Sequence, residues 1–421
     1  MKILVIGRGG REHAIVWALK KGDPSRQIYC APGNAGIAEL AETADIGEME
    51  FERLIQFARE KAVDLVVVGP DDPLAAGIVD AFEAAGIRVY GPRKNAAEIE
   101  GSKIFMKNLL KKYGIPTARY ETFTDYASAK AYLDTQPVPI VIKADGLAAG
   151  KGVTVCFTRE EAEEALRKTM VDKVFGASGE KVVIEEYLEG QEMSILSFVD
   201  GATVRPMPAA QDHKQVFDGD KGPNTGGMGT YSPLPHIPRA ISDEAVEKII
   251  KPAARAMVEE GRPFRGVLFA GLMVTKDGPK AIEFNARFGD PEAQVVLPRL
   301  QTDLLEIIQA SLEGRLADVE ISWSPEAAVC VVLASKGYPG SYPKGFPIYG
   351  LDEVSERDAL VFHAGTARKD GQIVTNGGRV LGVVGRGADI REARDRAYAA
   401  CERIRFEGKM NRTDIAAKAL R

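Results

Sequence analysis

The amino-acid sequence predicts a multidomain protein of mixed α/β and α+β class that opens on a parallel α/β sheet. Length is the first indication: 421 residues, 45% of them hydrophobic, can bury a large core but exceed what one core supports, so two to four domains are expected. Pattern is the second. Up to about residue 100, short apolar runs alternate with helical stretches, as successive strand-helix-strand units do, whereas beyond Gly114 hairpin signals take over.

Lys2 to Ile6 is an apolar run ending at Gly7-Arg8-Gly9-Gly10, and a helical pattern from Glu12 to Lys20 follows, giving strand, glycine turn and helix. Gln27 to Cys30, Asp64 to Val68 and Arg88 to Tyr90 are the next strand candidates. Ligands of such sheets sit beyond the carboxyl ends of the strands, where this chain places Gly7 to Glu12, Pro32-Gly33-Asn34-Ala35-Gly36 and Gly69-Pro70-Asp71-Asp72. Ser102 is the expected N-cap of a helix from Lys103 to Tyr113, stopped by Gly114 and Pro116. Strands at Ile140 to Lys143 and Val153 to Phe157, joined by a glycine-rich segment, then a helix from Arg159 to Met170 and a strand from Lys181 to Glu185, make a small α+β unit. Val267 to Thr275 and Pro279 to Asn285 flank an Asp277-Gly278 turn, a strong hairpin signal. A helix from Leu304 to Leu312, a linker at Ser322 to Pro325, strands at Ala328 to Leu333 and Arg379 to Val384, and a helix from Ile390 to Arg405 complete the chain.

Composition excludes several functions. The 55 basic and 60 acidic residues leave a formal charge of -5 with no block of like charge, so nucleic acid is not an expected partner. Cys30, Cys156, Cys330 and Cys401 lie far apart without C-x-x-C spacing, which predicts buried thiols rather than a zinc site or a disulfide framework. No leader pattern opens the sequence and no apolar stretch approaches membrane-spanning length, so a cytoplasmic protein without membrane contacts is expected. His13, His213, His236 and His363 lack metal-ligand spacing, and surface or capping roles are expected for them.

The glycine turns carry the first chemistry. G-x-G-x-x-G would need glycine where the chain has Glu12, so a dinucleotide is disfavoured, and Arg11 beside turn amides suits a phosphate better. Gly146 to Gly152 is no Walker loop, because three residues separate Gly146 from Gly150, Gly152 follows Lys151, and a strand comes next. The expectation is a hairpin whose glycines let backbone N–H groups close over a polyphosphate while Lys143 and Lys151 supply charge; an ordinary glycine-rich hairpin is the alternative. Lys103 sits in the first turn of its helix, where the dipole disfavours a cation by roughly 0.3 to 1 kcal/mol, and an anionic ligand there would offset that.

Val182 to Leu188 leaves a strand and runs on to Glu192, so its backbone can pair with an adenine edge while a carboxylate accepts from ribose hydroxyls. The strand period of two puts Glu283, Asn285 and Arg287 on one face: two hard oxygen donors for magnesium and a guanidinium for the charge formed in phosphoryl transfer. Gly222, Gly226, Gly227 and Gly229, with Asn224 and Thr225, are expected to form a nest of N–H donors for an anion.

Gly9 to His13, Pro32 to Gly36, Glu100 to Lys103, Ile142 to Gly152, Gln211 to Lys214, Asn224 to Gly229, Glu283 to Glu292, His363 to Thr366 and Asn376 to Val380 together resemble the phosphoribosylamine-glycine ligase family of the ATP-grasp superfamily, and the resemblance covers essentially the whole chain. It implies a two-part ATP-grasp domain between the N-terminal sheet and a small C-terminal α+β domain. The boundaries it suggests are 1–102, 103–324 with a glycine-loop subdomain at about 120–190, and 325–421. It also implies ATP and magnesium, with manganese as the alternative ion, and glycine and 5-phosphoribosylamine as substrates of a monomer. Lys103, Lys143, Gly150, Lys151 and Gly152 would then hold phosphates, Glu185, Glu186 and Leu188 adenine, Glu192 ribose, and Glu283 and Asn285 the metal. Gly10, Arg11, Glu12, Asn34, Gly36, Asp212, Lys214, Asn224 and Arg287 would face the acceptor substrates, with Arg287, Lys151 and Asp212 catalytic. One position departs from many ATP-grasp sequences, which carry a further metal carboxylate where this chain has Gly271. A related carboxylase and a non-catalytic nucleotide sensor are the competing readings.

Overall fold

The computed structural model describes residues 1–148 and 150–421; Ala149, within the glycine-rich loop, lies outside the described residues. Five parallel strands form the N-terminal sheet: β1 (Lys2–Gly7), β2 (Gln27–Pro32), β3 (Glu42–Thr43), β4 (Leu65–Val68) and β5 (Val89–Tyr90), in the order β3-β2-β1-β4-β5. β1 and β4 are apolar runs buried almost throughout, as parallel strands covered on both faces must be. Register pairs Gly7 with Pro32, and Gly33 N–H donates to Gly7 O at 3.0 Å, so two of the glycine turns lie side by side at one end of the sheet.

An antiparallel sheet of β6 (Tyr120–Phe123), β7 (Ile140–Ala144), β8 (Val153–Cys156) and β9 (Val182–Glu186), ordered β6-β9-β7-β8, carries the glycine-rich loop between β7 and β8. Helices Tyr126–Asp134 and Arg159–Met170 cover it, the second closed by a capping box between Thr158 and Glu161. Leu133, Ile140, Ile142, Leu166, Val182 and Ile184 give this unit an apolar core of its own. Elsewhere two large clusters span the domains: one runs from Leu4 and Ile6 through Leu268 and Ala270 to Val329 and Val383, the other from Ile3 and Val5 through Phe198 and Phe269 to Ala328 and Val384. The smaller unit therefore has apolar packing of its own, while the buried Lys107–Glu185 pair ties it to the helix Lys103–Lys112.

Next come β10 (Gln191–Asp200) and β11 (Thr203–Pro206), the short β12 (Gln211–Asp212), the hairpin of β13 (Gln215–Phe217) and β14 (Lys221–Asn224), and β15 (Gly229–Ser232). The long hairpin of β16 (Arg265–Thr275) and β17 (Gly278–Asn285) then pairs with β10, giving the order β11-β10-β16-β17. Gly278 closes its turn with φ +100, a conformation that needs glycine. β18 (Ala327–Ser335), β19 (Leu360–His363), the hairpin of β20 (Thr366–Lys369) and β21 (Gln372–Thr375), β22 (Arg379–Gly387) and β23 (Lys409–Met410) follow. The last main sheet runs β12-β15-β18-β22-β19, so β12 and β15 join the C-terminal strands, while β13 and β14 pair with each other.

Three histidines correct the expectation of surface roles. His13, His213 and His363 are buried because each supplies hydrogen bonds at a joint between units. His363 N–H donates to His13 Nδ1 at 2.7 Å, while His213 Nε2 accepts from Ala416 N–H at 3.3 Å. The four cysteines are buried free thiols. No helix among the described residues is long and apolar enough to cross a membrane.

Candidate active site

β17 ends in the site. Phe284, Ala286 and Phe288 are buried, whereas Glu283, Asn285 and Arg287 are half-buried on the opposite face. Glu283 lies across Gly271 on β16, where a Cβ would stand 2.9 Å from Glu283 Cγ; glycine there gives the carboxylate its place. Burial pushes the Glu283 carboxyl up, and Lys214, Lys143, Lys103 and Arg287 together overcome this and hold it below the usual carboxylate range. Among the described residues no group of three or more His, Cys, Asp or Glu side chains is arranged for a metal. Arg287 Nη2 reaches Asn285 Oδ1 only at 3.5 Å, so that amide oxygen retains lone-pair capacity. An ionised carboxylate beside an amide oxygen fits a hard divalent cation that takes its other ligands from phosphate and water.

Arg287 is held from the N-terminal side. Glu100 Oε1 pairs with its Nη2 at 2.9 Å, and Glu100 Oε2 accepts from Ala286 N–H at 2.8 Å. Sequence reasoning quoted Glu100 only within a motif; a carboxylate closing the otherwise apolar face Ala96, Ala97 and Ile99 of helix Lys94–Gly101 was the available signal.

The helix Lys103–Lys112 begins as expected, with Ser102 Oγ accepting from Phe105 N–H at 3.1 Å. The anion that offsets its dipole belongs to the protein. Asp145 Oδ1 accepts from Ile104 N–H at 2.8 Å and from Ser102 Oγ–H at 3.1 Å, so no ligand is required at this helix end. Lys103 turns instead to Gly146 O at 3.0 Å, and burial pulls its ammonium below the usual range. Gly150 has φ +74, and Gly150 and Lys151 are exposed at the tip of the loop, with Lys151 N–H donating to Ala148 O at 2.8 Å. Gly152 is buried against Ala144 and Ala148.

Lys143 pairs with Glu185 Oε1, and Glu185 Oε2 lies 2.7 Å from Lys107 Nζ. Lys107, which sequence reasoning missed, is buried and also donates to Thr117 Oγ1 at 2.7 Å. Helical spacing from Lys103 places it one turn on, on the same face, and that was the available signal. Burial would raise Glu185; Lys143 and Lys107 lower it below the usual range. Lys107→Met is expected to cost about 3–5 kcal/mol, because one side of a buried ion network is lost, and to raise the ATP KM through a displaced Lys143. Urea unfolding and ATP titration of that variant check this, and wild-type values in both would remove Lys107 from the site.

Glu186 turns away to Arg119, accepting from its backbone N–H at 3.0 Å and its Nε at 3.1 Å, while Leu188 is half-buried after β9. Glu192 lies 3.3 Å from Lys214 Nζ. Glu192 chiefly, against burial and together with Glu283 and Asp212, holds the Lys214 ammonium above its usual range. The structure thus gathers Lys103, Lys143, Glu185, Glu192, Asp212, Lys214, Glu283, Asn285 and Arg287 at one place.

Asn224 does not join them. It is exposed in β14, its Oδ1 accepting from Gln215 Nε2 at 3.2 Å. The expected anion nest around it is also corrected, because its N–H groups are already used: Thr225 by Lys214 O, Gly226 by Tyr338 Oη, Gly227 by Thr225 Oγ1 and Met228 by His213 O.

The N-terminal candidates form a joint. Glu12 is buried, accepting from Gly9 N–H and Arg11 Nε, each at 2.7 Å, while Arg11 Nη1 donates to Phe288 O at 3.3 Å. Asn34 uses its whole amide, donating to Arg8 O and His363 O and accepting from Gly36 and Ile37 N–H. Gly36 packs on the His363 ring, where a Cβ would come within 2.3 Å, and Gly10 packs on Gln294. These contacts set the first glycine turn beside Asp290 and the residues after β17.

Three family models divide the chain between them. The phosphoribosylglycinamide synthetase N domain matches residues 1–100, the ATP-grasp (A) domain 101–293 and the C domain 328–418. The chain belongs to the phosphoribosylglycinamide synthetase family. A phosphoribosylamine–glycine ligase from Halalkalibacterium halodurans is 53% identical over 100% of this chain and 97% of its own length. Another, from Caldanaerobacter subterraneus, is 54% identical over 99% of this chain and 100% of its own. The crystal structure of the Thermotoga maritima phosphoribosylamine–glycine ligase superposes with a TM-score of 0.86 at 36% identity, covering 99% of this chain and 100% of that one. The biotin carboxylase domain of the Hydrogenobacter thermophilus 2-oxoglutarate carboxylase, at 18% identity and TM-score 0.74 over 97% of this chain and 91% of that one, shares the fold. Membership makes this chain an ATP-grasp enzyme of the carbon-nitrogen ligase class.

Proposed function

We propose that this chain joins glycine to 5-phosphoribosylamine, using ATP, and gives glycinamide ribonucleotide, ADP and phosphate through a glycyl phosphate in purine synthesis. The observation that carries the reading is the gathering of Lys103, Lys143, Lys214 and Arg287 around one ionised carboxylate, Glu283. Four cations at a carboxylate suit the charge of a polyphosphate and a carboxylate substrate brought together.

A carboxylate is a poor acylating agent. A glycine oxygen therefore attacks the terminal phosphorus of ATP, forming the C–O–P link as the bond to ADP breaks, with Arg287 beside the transferring group. The phosphoribosylamine nitrogen then attacks the acyl carbon, the C–N bond forms, phosphate leaves, and one proton leaves the nitrogen. Lys103, Lys143 and Lys151 hold phosphates, the backbone from Glu185 to Leu188 takes the adenine edge, and Glu192 takes ribose. Asp212, Lys214 and Arg287 face the acceptors, and the turn at Gly10, Arg11 and Glu12, braced by Asn34 and Gly36, lies at the phosphoribosylamine end. Glu283 and Asn285 would hold magnesium, or manganese, which when bound neutralises phosphate charge. Closure of the Gly146–Gly152 loop keeps the acyl phosphate from water. The working division is 1–102, 103–324 and 325–421, in a cytoplasmic monomer.

Phosphate release with each component omitted in turn tests this: turnover should require ATP, glycine and phosphoribosylamine. Release that ignores glycine and responds to bicarbonate would overturn the reading in favour of a carboxylase, and nucleotide binding without turnover in favour of a sensor. Lys151→Ala, at an exposed loop tip, should raise the ATP KM about tenfold, one charged contact's worth, with an unchanged melting temperature. An unchanged KM would remove Lys151 from the lid.

A further inference from the structure

We propose that Arg412 is a positioning residue for Lys214, acting from a C-terminal segment, residues 412–416, that grips the chain on both sides of that lysine. This rests on the place of Lys214 in the function proposed above and adds a residue outside the groups gathered around Glu283.

Lys214 lies between β12 and β13, and each of its chain neighbours is bonded to the C-terminal segment. Gln215 O accepts from Arg412 Nη1 at 3.1 Å, and His213 Nε2 accepts from Ala416 N–H at 3.3 Å. Between these two grips Lys214 O accepts from the N–H and the Oγ1–H of Thr225, each at 2.7 Å. The side chain therefore sets out toward Glu192, 3.3 Å from its Nζ, from a backbone fixed at three successive residues. A lysine is a point charge on a flexible four-carbon stem, so the site of its ammonium depends on where that stem begins.

The grip is built from buried groups. Arg412 is 2% exposed, and all three guanidinium nitrogens are engaged. Nε donates to Asp414 Oδ1 at 2.8 Å, Nη2 to Asp414 Oδ2 at 2.8 Å and to Asp220 Oδ1 at 3.0 Å, and Nη1 to Gln215 O. A planar fork serves these acceptors together, and an ammonium does not. Asp220 stands in the turn between β13 and β14, so one side chain holds both the beginning and the tip of that hairpin. From the same turn Asp218 accepts from Thr413 N–H at 2.8 Å, and Gly219 N–H donates to Asp414 Oδ2 at 2.9 Å. Burial would raise both carboxyls of the cluster; Lys418 and Arg412 hold Asp220, and Arg412 and Gly219 N–H hold Asp414, below the usual carboxylate range.

The hairpin needs such a hold. β13 and β14 form a two-stranded sheet of their own, an arrangement that is marginal in water unless it is docked on something. What it is docked on is itself anchored by the helix Ile390–Arg403. Tyr398 Oη donates to Arg412 O at 2.8 Å and accepts from Ile415 N–H at 3.1 Å, and Arg394 donates to Ile415 O at 2.8 Å and to Thr413 O at 2.6 Å. Ile415 packs under Gly229, where a Cβ would stand 2.6 Å from Ile415 Cδ1, and Gly229 O accepts from His213 N–H at 2.9 Å. The C-terminal domain thus braces the backbone of a lysine that belongs to the ATP-grasp body.

The test is a double-mutant cycle on glycine-dependent phosphate release by the full-length protein, with turnover expressed per ATP-binding site counted by nucleotide titration. Arg412→Gln should lower kcat about 10–100-fold while the ATP KM stays within about twofold. Made in a Lys214→Met background, the same change should lower kcat by no more than about twofold further, because a displaced lysine and an absent one are then equivalent. Equal factors in the two backgrounds, the mark of a purely structural role, would overturn the proposal, as would an unchanged kcat in Arg412→Gln or wild-type turnover in Lys214→Met. Should Lys214→Met release no phosphate, Lys214→Arg takes its place in the cycle. Asp220→Asn, at the half-exposed turn, is the second variant should Arg412→Gln fail to fold; its loss, about threefold, should likewise vanish without Lys214. A wild-type protein without glycine-dependent release would overturn the ligase function and this proposal with it; normal wild-type turnover with additive losses in the cycle would overturn this proposal alone.

Discussion

Replacing Glu283 by glutamine is expected to lower turnover by about 10²–10³-fold or more while the protein remains folded. Glutamine has the same length and lies across Gly271 in the same way, so the close approach of β16 and β17 survives the change. The charge does not survive. Glu283 is the negative centre facing Lys103, Lys143, Lys214 and Arg287, and it is the only ionised member of the two-donor set it makes with Asn285. A neutral amide there leaves the cations to bind polyphosphate without a metal carboxylate, so nucleotide affinity measured without magnesium should hold or tighten even as phosphate release is lost. Phosphate release at saturating magnesium, nucleotide binding with and without magnesium, and a melting curve check this. Full turnover in the variant would remove Glu283 from the metal assignment.

Local physics was legible in the sequence. The helices Arg159–Met170 and Leu304–Leu312 and the Ser102 cap come from periodicity and from residues that bond their own neighbours. The alternation from Glu283 to Arg287 is legible in the sequence, whereas the register shift at Ile282 is not. What could not be read depended on partners distant in sequence. β10 is an almost unbroken buried run, Met193 to Val199, whose strand character is set by pairing with β16 over sixty residues later. Gly229–Ser232 look like part of a loop because their strand partner, β18, comes about a hundred residues afterwards. The same applies to side chains. Nothing local to Lys107 announces Glu185, nothing local to Asn34 announces His363, and nothing around Thr225 to Met228 reveals that their N–H groups already have acceptors. Lys103 was placed in a first turn with an uncompensated dipole because Asp145, which compensates it, is forty-two residues away.

The buried histidines make stability sensitive to mild acid. His13 Nδ1 accepts from His363 N–H, and His213 Nε2 accepts from Ala416 N–H while its Nδ1 faces Gly229 O at 3.1 Å, so in the folded state each accepting nitrogen must be unprotonated. Burial pushes His213 and His363 down to about 4 and holds His13 well below its usual value; a second influence is Arg412 on His213, Arg368 on His363 and His363 on His13. Unfolded, each returns to about 6.5. A folded pKa below the unfolded one means that the unfolded chain binds more protons between the two values. The stability these groups confer is therefore complete above about pH 6.5 and is lost as pH falls toward 4. At pH 5 His213 and His363 should each have lost about 2 kcal/mol. Glu292, Asp212 and Glu100, raised by burial, act in the opposite direction over part of that range, so the difference between wild type and variant is the clean measure. His213→Gln keeps hydrogen-bonding groups without a titrating ring. Urea unfolding at pH 7.5 and 5 should show wild type losing about 2 kcal/mol more than this variant over the interval. Equal losses would mean that His213 titrates alike folded and unfolded, and that the joint between the Asp212 strand and the C-terminal segment is indifferent to its charge.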